Sequence, residues 1–329
     1  MSEFHSTNPL VTGIDAAVIA TQRQINAALA QMPHPDPRTA DGLQMLRTLT
    51  ANNEAGTVLS PIDRYIEIPS GRVRLHILVP NGPIRGVMLD IHGGGWAAGA
   101  PEDDDTFNDQ LARALNMVVV APDYRLTPAV TIAEQIDDCV AVAEWLGANA
   151  YHEYGTDVII IGGISAGAHL AAATLLRLRD SRSPTFRKIA AARLDSGPYD
   201  LGFTPSAYLS SEDSLVLTHD WLFGLVEVGL PGLSLEQRRT PALSPMLNDL
   251  SGLPPALFTV GDLDPLRDDS ILMAARWQLA GGTAALDVWP EGGHAFINMA
   301  TPLGDLALNR AVAWLNTIIE AAESATAPA

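Results

Sequence analysis

The chain has 329 residues, 47% of them hydrophobic, enough for one large α/β domain with attached elements. With 38 acidic against 20 basic residues its formal charge is −18, a field that repels nucleic acid and anionic membranes and leaves neutral or cationic small molecules as the expected partners. Cys139 is the only cysteine, so an intramolecular disulfide and a cysteine cluster for zinc or iron–sulfur are excluded, and its helical surroundings mark it as a buried structural thiol.

The start, Met1-Ser2-Glu3-Phe4-His5, lacks the basic and apolar regions of a signal peptide, and no stretch is apolar over the length of a bilayer. A soluble, cytoplasmic protein is the expectation. Residues 12–32 place Ile14, Val18, Ile19, Ile25 and Leu29 at helical spacing, an amphipathic helix that needs a surface. Pro33, Pro35 and Pro37 stop it, and a second helical stretch follows over 38–53.

From Ile62 the apolar period falls to two. Residues 64–69 and 73–79 alternate around Ser70-Gly71, which predicts an antiparallel hairpin. Six buried strands are expected at 86–91, 117–121, 157–161, 189–194, 256–260 and 286–289, with helices over 104–115, 131–147, 165–178, 267–280 and 303–322. Strands alternating with helices predict a mostly parallel sheet covered on both faces. Two intervals break the alternation: the N-terminal arm, and about 198–252, rich in Pro, Ser and Leu with a helical segment at 220–223. Insertions after strand ends lie beside the ligand edge of such a sheet, so both are expected to form a cap, against the plainer reading of an extension that thickens the core. The organisation expected is a helical cap segment at 1–55, a catalytic domain at 56–322 carrying the insertion, and a disordered tail at 323–329.

The chemistry centres on 157–176, where a β-branched run passes through Gly163-Ile164-Ser165-Ala166-Gly167 into an Ala/Leu-rich helix. Gly163 and Gly167 permit a sharp strand-to-helix turn that would lift the Ser165 hydroxyl out of the sheet. The bare pattern is weak, and a small-residue turn without chemistry is the alternative. Its context includes His92-Gly93-Gly94-Gly95-Trp96 at the end of another strand. There Gly94 and Gly95 can turn N–H groups inward, with that of Ala166, to form an oxyanion hole, while His92 is suited to holding the loop. A phosphate cradle would need a Lys-Ser/Thr after the glycines, which is missing.

His294, in Gly292-Gly293-His294-Ala295-Phe296 after the last strand, is the candidate base. His169 reads as a core or supporting group, and His5, His34, His76, His152 and His219 lack a motif. Asp264 is the candidate orienting carboxylate because Pro265 keeps it off the following helix; Asp262 is second, and Asp268 and Asp269 suit the helix's first turn.

The order Ser165, Asp264, His294 is that of α/β hydrolases. Together with Asp123-Tyr124-Arg125-Leu126, Asp264-Pro265-Leu266-Arg267-Asp268 and the glycine motifs, it makes residues 60–320 resemble the hormone-sensitive-lipase family of α/β-hydrolase carboxylesterases. Ile164 stands where that family usually has Asp or Thr, Ala168 where Gly is common, and Leu126-Thr127-Pro128-Ala129 departs from its usual Leu-Ala-Pro-Glu. The resemblance implies an eight-stranded sheet, a cap built partly from the N-terminus, ester hydrolysis without metal or cofactor, and a possible homodimer. The expected activity is a serine carboxylesterase acting on short-chain or aryl esters through an acyl-enzyme, with Trp96 and Trp221 bounding the pocket. An amidase or formamidase with the same triad is the nearest alternative. A non-catalytic small-molecule receptor is a third, although such receptors typically lack the triad histidine.

Overall fold

Eight strands form one sheet in a computed structural model that describes residues 10–51, 56–211 and 214–326. Residues 1–9 of the expected cap segment, His5 among them, and 52–55, 212–213 and 327–329 lie outside the described residues. The strands are β1 (Ile62–Ile68), β2 (Gly71–Leu78), β3 (Gly86–Ile91), β4 (Met117–Asp123), β5 (Ile159–Ile164), β6 (Ile189–Asp195), β7 (Ala256–Gly261) and β8 (Ala284–Trp289), ordered β1-β2-β4-β3-β5-β6-β7-β8. The β1–β2 hairpin and the β2–β4 pair are antiparallel and the rest parallel, as the change of period at Ile62 predicts. Every position of β3, β5 and β7 is buried, which is why these strands read as continuous apolar runs.

The helices are α1 (Ala16–Leu29), α2 (Ala40–Thr50), α3 (Asp105–Leu115), α4 (Ile132–Tyr154), α5 (Ala166–Asp180), α6 (Pro205–Tyr208), α7 (His219–Gly229), α8 (Leu235–Arg238), α9 (Arg267–Leu279) and α10 (Pro302–Thr326). One core packs α4, α5 and α9 against one face of the sheet and a second packs α3 and α10 against the other. A capping box between Thr131 and Glu134 starts α4, which continues past the expected 147 until Gly155 takes a left-handed φ of 75°. Of the expected disordered tail at 323–329, residues 323–326 instead continue α10 to Thr326, and Arg85 pairs with Glu323 at 2.8 Å. An Ala/Ser-rich composition fits a helix as well as a coil when a core and an ion pair anchor it.

The N-terminal arm does two things. Val11 N–H donates to the Val288 carbonyl, and Asn26 on α1 donates to the Glu291 carbonyl at 2.9 Å, so α1 braces the loop after β8. Arg47 on α2 donates to the carbonyls of Ala97 and Thr127, tying α2 to the loops after β3 and β4. The insertion meets the arm where Arg38 pairs with Asp220 at 2.9 Å and Pro37 packs against Gly224. Among the described residues no helix is long and apolar enough to cross a membrane.

Candidate active site

β5 runs straight through Gly162 and Gly163, and the whole turn falls on Ser165, at φ 55° and ψ −123°. A side chain in that region costs about 1–3 kcal/mol, so the surroundings must impose it. They do: the Ser165 N–H donates to the Asp195 carbonyl at 2.8 Å, and α5 crosses β3 so closely that a Cβ on Gly167 would stand 1.8 Å from the Ile91 oxygen. A Cβ on Gly163 would meet that same oxygen at 2.6 Å. Both glycines are therefore steric requirements of the turn.

The loops after β7 and β8 meet backbone to backbone. A Cβ on Gly261 would lie 2.0 Å from the Gly292 oxygen, and Leu263 N–H donates to that oxygen at 3.0 Å. This contact carries Asp264 to His294, whose Nδ1 lies 3.0 and 3.1 Å from the two carboxylate oxygens. Asp264 Oδ1 also accepts the Leu266 N–H at 2.9 Å. His294 Nε2 is 2.8 Å from Ser165 Oγ. Asp262 instead accepts the Glu291 N–H and has no contact with the histidine, so the two candidate aspartates are separated by their partners.

Gly93 packs against the Ser165 Cβ, placing the oxyanion loop beside the hydroxyl. Gly94 and Gly95 have φ of 109° and 61°, and a Cβ on them would strike the Ala98 oxygen at 2.2 Å and Leu225 at 2.6 Å. Ala166 opens α5, so its N–H has no partner within the helix. The loop is fastened by several groups. The His92 ring bonds the Gly93 carbonyl at 2.8 Å and stacks on Tyr124, whose hydroxyl donates to the His92 carbonyl. Gln135 donates to the Trp96 carbonyl at 2.7 Å.

Ser165, His294, the three loop glycines and Ala166 line one cavity of about 420 Å³. Trp221 and Trp96 both line it, but Trp96 is only 1% exposed: its indole N–H donates to His169 Nδ1 at 3.3 Å, so it backs the loop more than it faces the cavity. Burial pushes His169 down to about 4, against the opposing effect of its bond to the Leu243 carbonyl. It stays neutral and joins the oxyanion loop to the end of the insertion. Leu46 and Leu49 of α2, Leu217, Leu222 and Leu225 of the insertion, and Asp104 and Asn298 also line the cavity. Beyond an amphipathic pattern, nothing in the sequence marks these residues. Among the described residues one group of possible metal ligands assembles, Asp63, His76 and Glu102, and the Arg74 guanidinium already bonds both carboxylates.

A family model described as alpha/beta hydrolase fold matches residues 88–298. The carboxylesterase NlhH of Mycobacterium tuberculosis is 32% identical over 241 residues, 71% of this chain and 74% of that protein. The chain belongs to the hormone-sensitive-lipase family of α/β-hydrolase carboxylesterases. This carboxylesterase shares its fold with a hormone-sensitive lipase from a metagenome library, at a TM-score of 0.75 and 24% identity over 91% of this chain and 98% of the other. An esterase from the archaeon Pyrobaculum calidifontis superposes with a TM-score of 0.76 at 26% identity, over 93% and 99% of the two chains. In the present chain Ile164, at the position before the serine where the resemblance leads one to expect Asp or Thr, is buried and lines the cavity.

Proposed function

We propose that this carboxylesterase works through a Ser165–His294–Asp264 triad and that its cavity selects short acyl groups. The observation that carries the triad is the unbroken contact from Ser165 Oγ through His294 to Asp264, at 2.8 and 3.0 Å, beside the oxyanion loop. His294 Nε2 takes the hydroxyl proton as Ser165 Oγ attacks the ester carbonyl. The N–H groups of Gly94, Gly95 and Ala166 stabilise the oxyanion as it forms. His294 then gives its proton to the leaving alkoxide, and water activated by the same nitrogen releases the acid from the acyl-enzyme. Asp264 fixes the tautomer and orientation of the imidazole.

Acyl preference follows from space. A cavity of about 420 Å³ is at the lower end for ligand sites, and Leu217, Trp221, Leu222 and Leu225 wall it on the cap side. We take the N-terminal segment, through α2, and the insertion together as the cap. A cytoplasmic location is proposed on composition, since a single buried cysteine calls for no oxidising compartment. The test is a panel of p-nitrophenyl esters of increasing acyl length with matched p-nitroanilides. Turnover should peak between acetyl and hexanoyl and be far slower on the anilides. Rates that keep rising to long acyl chains would overturn the size argument, and anilides matching the esters would favour an amidase.

A further inference from the structure

Directly beneath the elbow lies a charged cluster that the mechanism does not use. Asp90 on β3, Gly162 on β5 and Arg193 on β6 are register neighbours across three adjacent strands. The Arg193 guanidinium bonds Asp90 on one side and Asp195 on the other, and all three side chains are 0–2% exposed. The ion pair passes over Gly162, where a Cβ would lie 3.2 Å from Arg193 Nε and 3.3 Å from Asp90 Oδ1. The Phe107 ring covers the guanidinium from α3 at 4.7 Å. Charges buried this deeply are costly, and an apolar trio would often pack at least as well. Position suggests what the cluster does. Asp90 is two residues before His92, where the oxyanion loop begins, and the Asp195 carbonyl receives the Ser165 N–H at 2.8 Å.

We propose that Arg193, with Asp90 and Asp195, is a positioning group that holds the oxyanion loop and the nucleophile turn in register with each other. β3 carries the donors, β6 anchors the serine backbone, and the elbow strand between them contributes a glycine, so a direct bridge over Gly162 fixes the separation on which transition-state stabilisation depends. Burial pushes Asp195 up to about 6, outweighing the pull of Arg193, so keeping this cluster charged is costly.

The inference rests on Ser165 as nucleophile, and the test keeps the two apart. Wild type, Arg193→Lys and Asp90→Asn are titrated with a dialkyl aryl phosphate to count reactive serines, and kcat and KM on an aryl acetate are expressed per titrated site. Misplacement of the loop predicts kcat per site lower by about 10- to 100-fold with KM changed less than about twofold. A merely structural role would lower Tm and the titrated fraction while leaving kcat per site within about twofold of wild type, which overturns the proposal, as does a change confined to KM. Asp90→Asn keeps the side-chain volume and an acceptor, and decides the matter if Arg193→Lys does not fold. Wild type that turns over without Ser165 becoming labelled would sink the triad reading itself.

Discussion

Where α5 leaves β5, and where the loops after β7 and β8 meet, backbone packs on backbone: a methyl on Gly167 would sit 1.8 Å from the Ile91 oxygen, and one on Gly261 2.0 Å from that of Gly292. The proposed cap rests on the same site through side chains, with Leu225 against Gly95 and Arg47 on two carbonyls. The first kind of contact has a single solution, because nothing in it can change rotamer. The second can be retuned one residue at a time. The frame should therefore carry the reaction and tolerate no change, whereas the cap should set substrate range and yield to substitution by degrees.

The sharpest way to break that division is at the triad. His294→Ala should abolish nearly all turnover, and Asp264→Asn should lower kcat by about 10⁴-fold, since an orienting aspartate turned to amide leaves the wrong tautomer. Both variants should keep the fold, judged by circular dichroism. If Asp262→Asn were the crippling change, the orienter would be misassigned.

In the cap, Leu225→Ala should open space above Gly95 and move the acyl optimum to longer chains. Each methylene newly accommodated gains about 0.8 kcal/mol, roughly fourfold in kcat/KM, while the lost packing costs about 2–5 kcal/mol of stability. An unchanged chain-length profile would show that Leu225 does not bound the acyl site.

Asp269 links the two regions. Buried at the start of α9, it accepts the N–H groups of Tyr199 and Asp200 and the Thr204 hydroxyl, at 2.5 to 3.0 Å, and so pins the root of the insertion. Asp269→Asn places an amide NH₂ among donors and should cost about 1–3 kcal/mol in urea unfolding, with KM raised more than kcat is lowered. Unaltered stability would remove this tether from the account.

The smallest effect lies at the hairpin. Burial alone would lower His76 from its usual 6.5, but hydrogen bonds to Asp105 and Asp63 outweigh it and raise the pKa. The charged groups around it are Asp63 on β1, Arg74 on β2, and Glu102 and Asp105 at the approach to α3. A histidine raised in the folded state contributes stability that is complete below its unfolded value and is lost as pH climbs through the folded one. Tm should therefore decline as pH rises above about 6.5, and His76→Asn should lack that decline while activity changes little. A wild-type Tm that is flat over this range would contradict a stabilising role for His76 between Asp63 and Asp105.

What was legible in the sequence follows the same division. β-branched runs and obligatory glycines are local signals, so each expected strand appears within a few residues of its predicted span, and Ser165, Asp264 and His294 meet as their loop positions require. Contacts made by polar side chains over long separations leave no periodic trace. Nothing near Asn26 announces its bond to the Glu291 carbonyl, and Arg193 in an apolar strand gives no hint that Asp90 faces it across Gly162. Asp269, by its place in the first turn of α9, reads as a helix-dipole partner, and only the fold brings the insertion's backbone to it. The last turns of α10 were unreadable for the same reason: Glu323 is held by Arg85, 238 residues away.

The central claim, that Ser165 is the nucleophile poised by His294 and Asp264, is most directly tested by peptide mass spectrometry after inactivation with a dialkyl aryl phosphate. One phosphoryl group per chain should appear on Ser165, at a rate that falls to near background in His294→Ala. Complete inactivation with Ser165 unmodified, or undiminished ester turnover in Ser165→Ala, would contradict it.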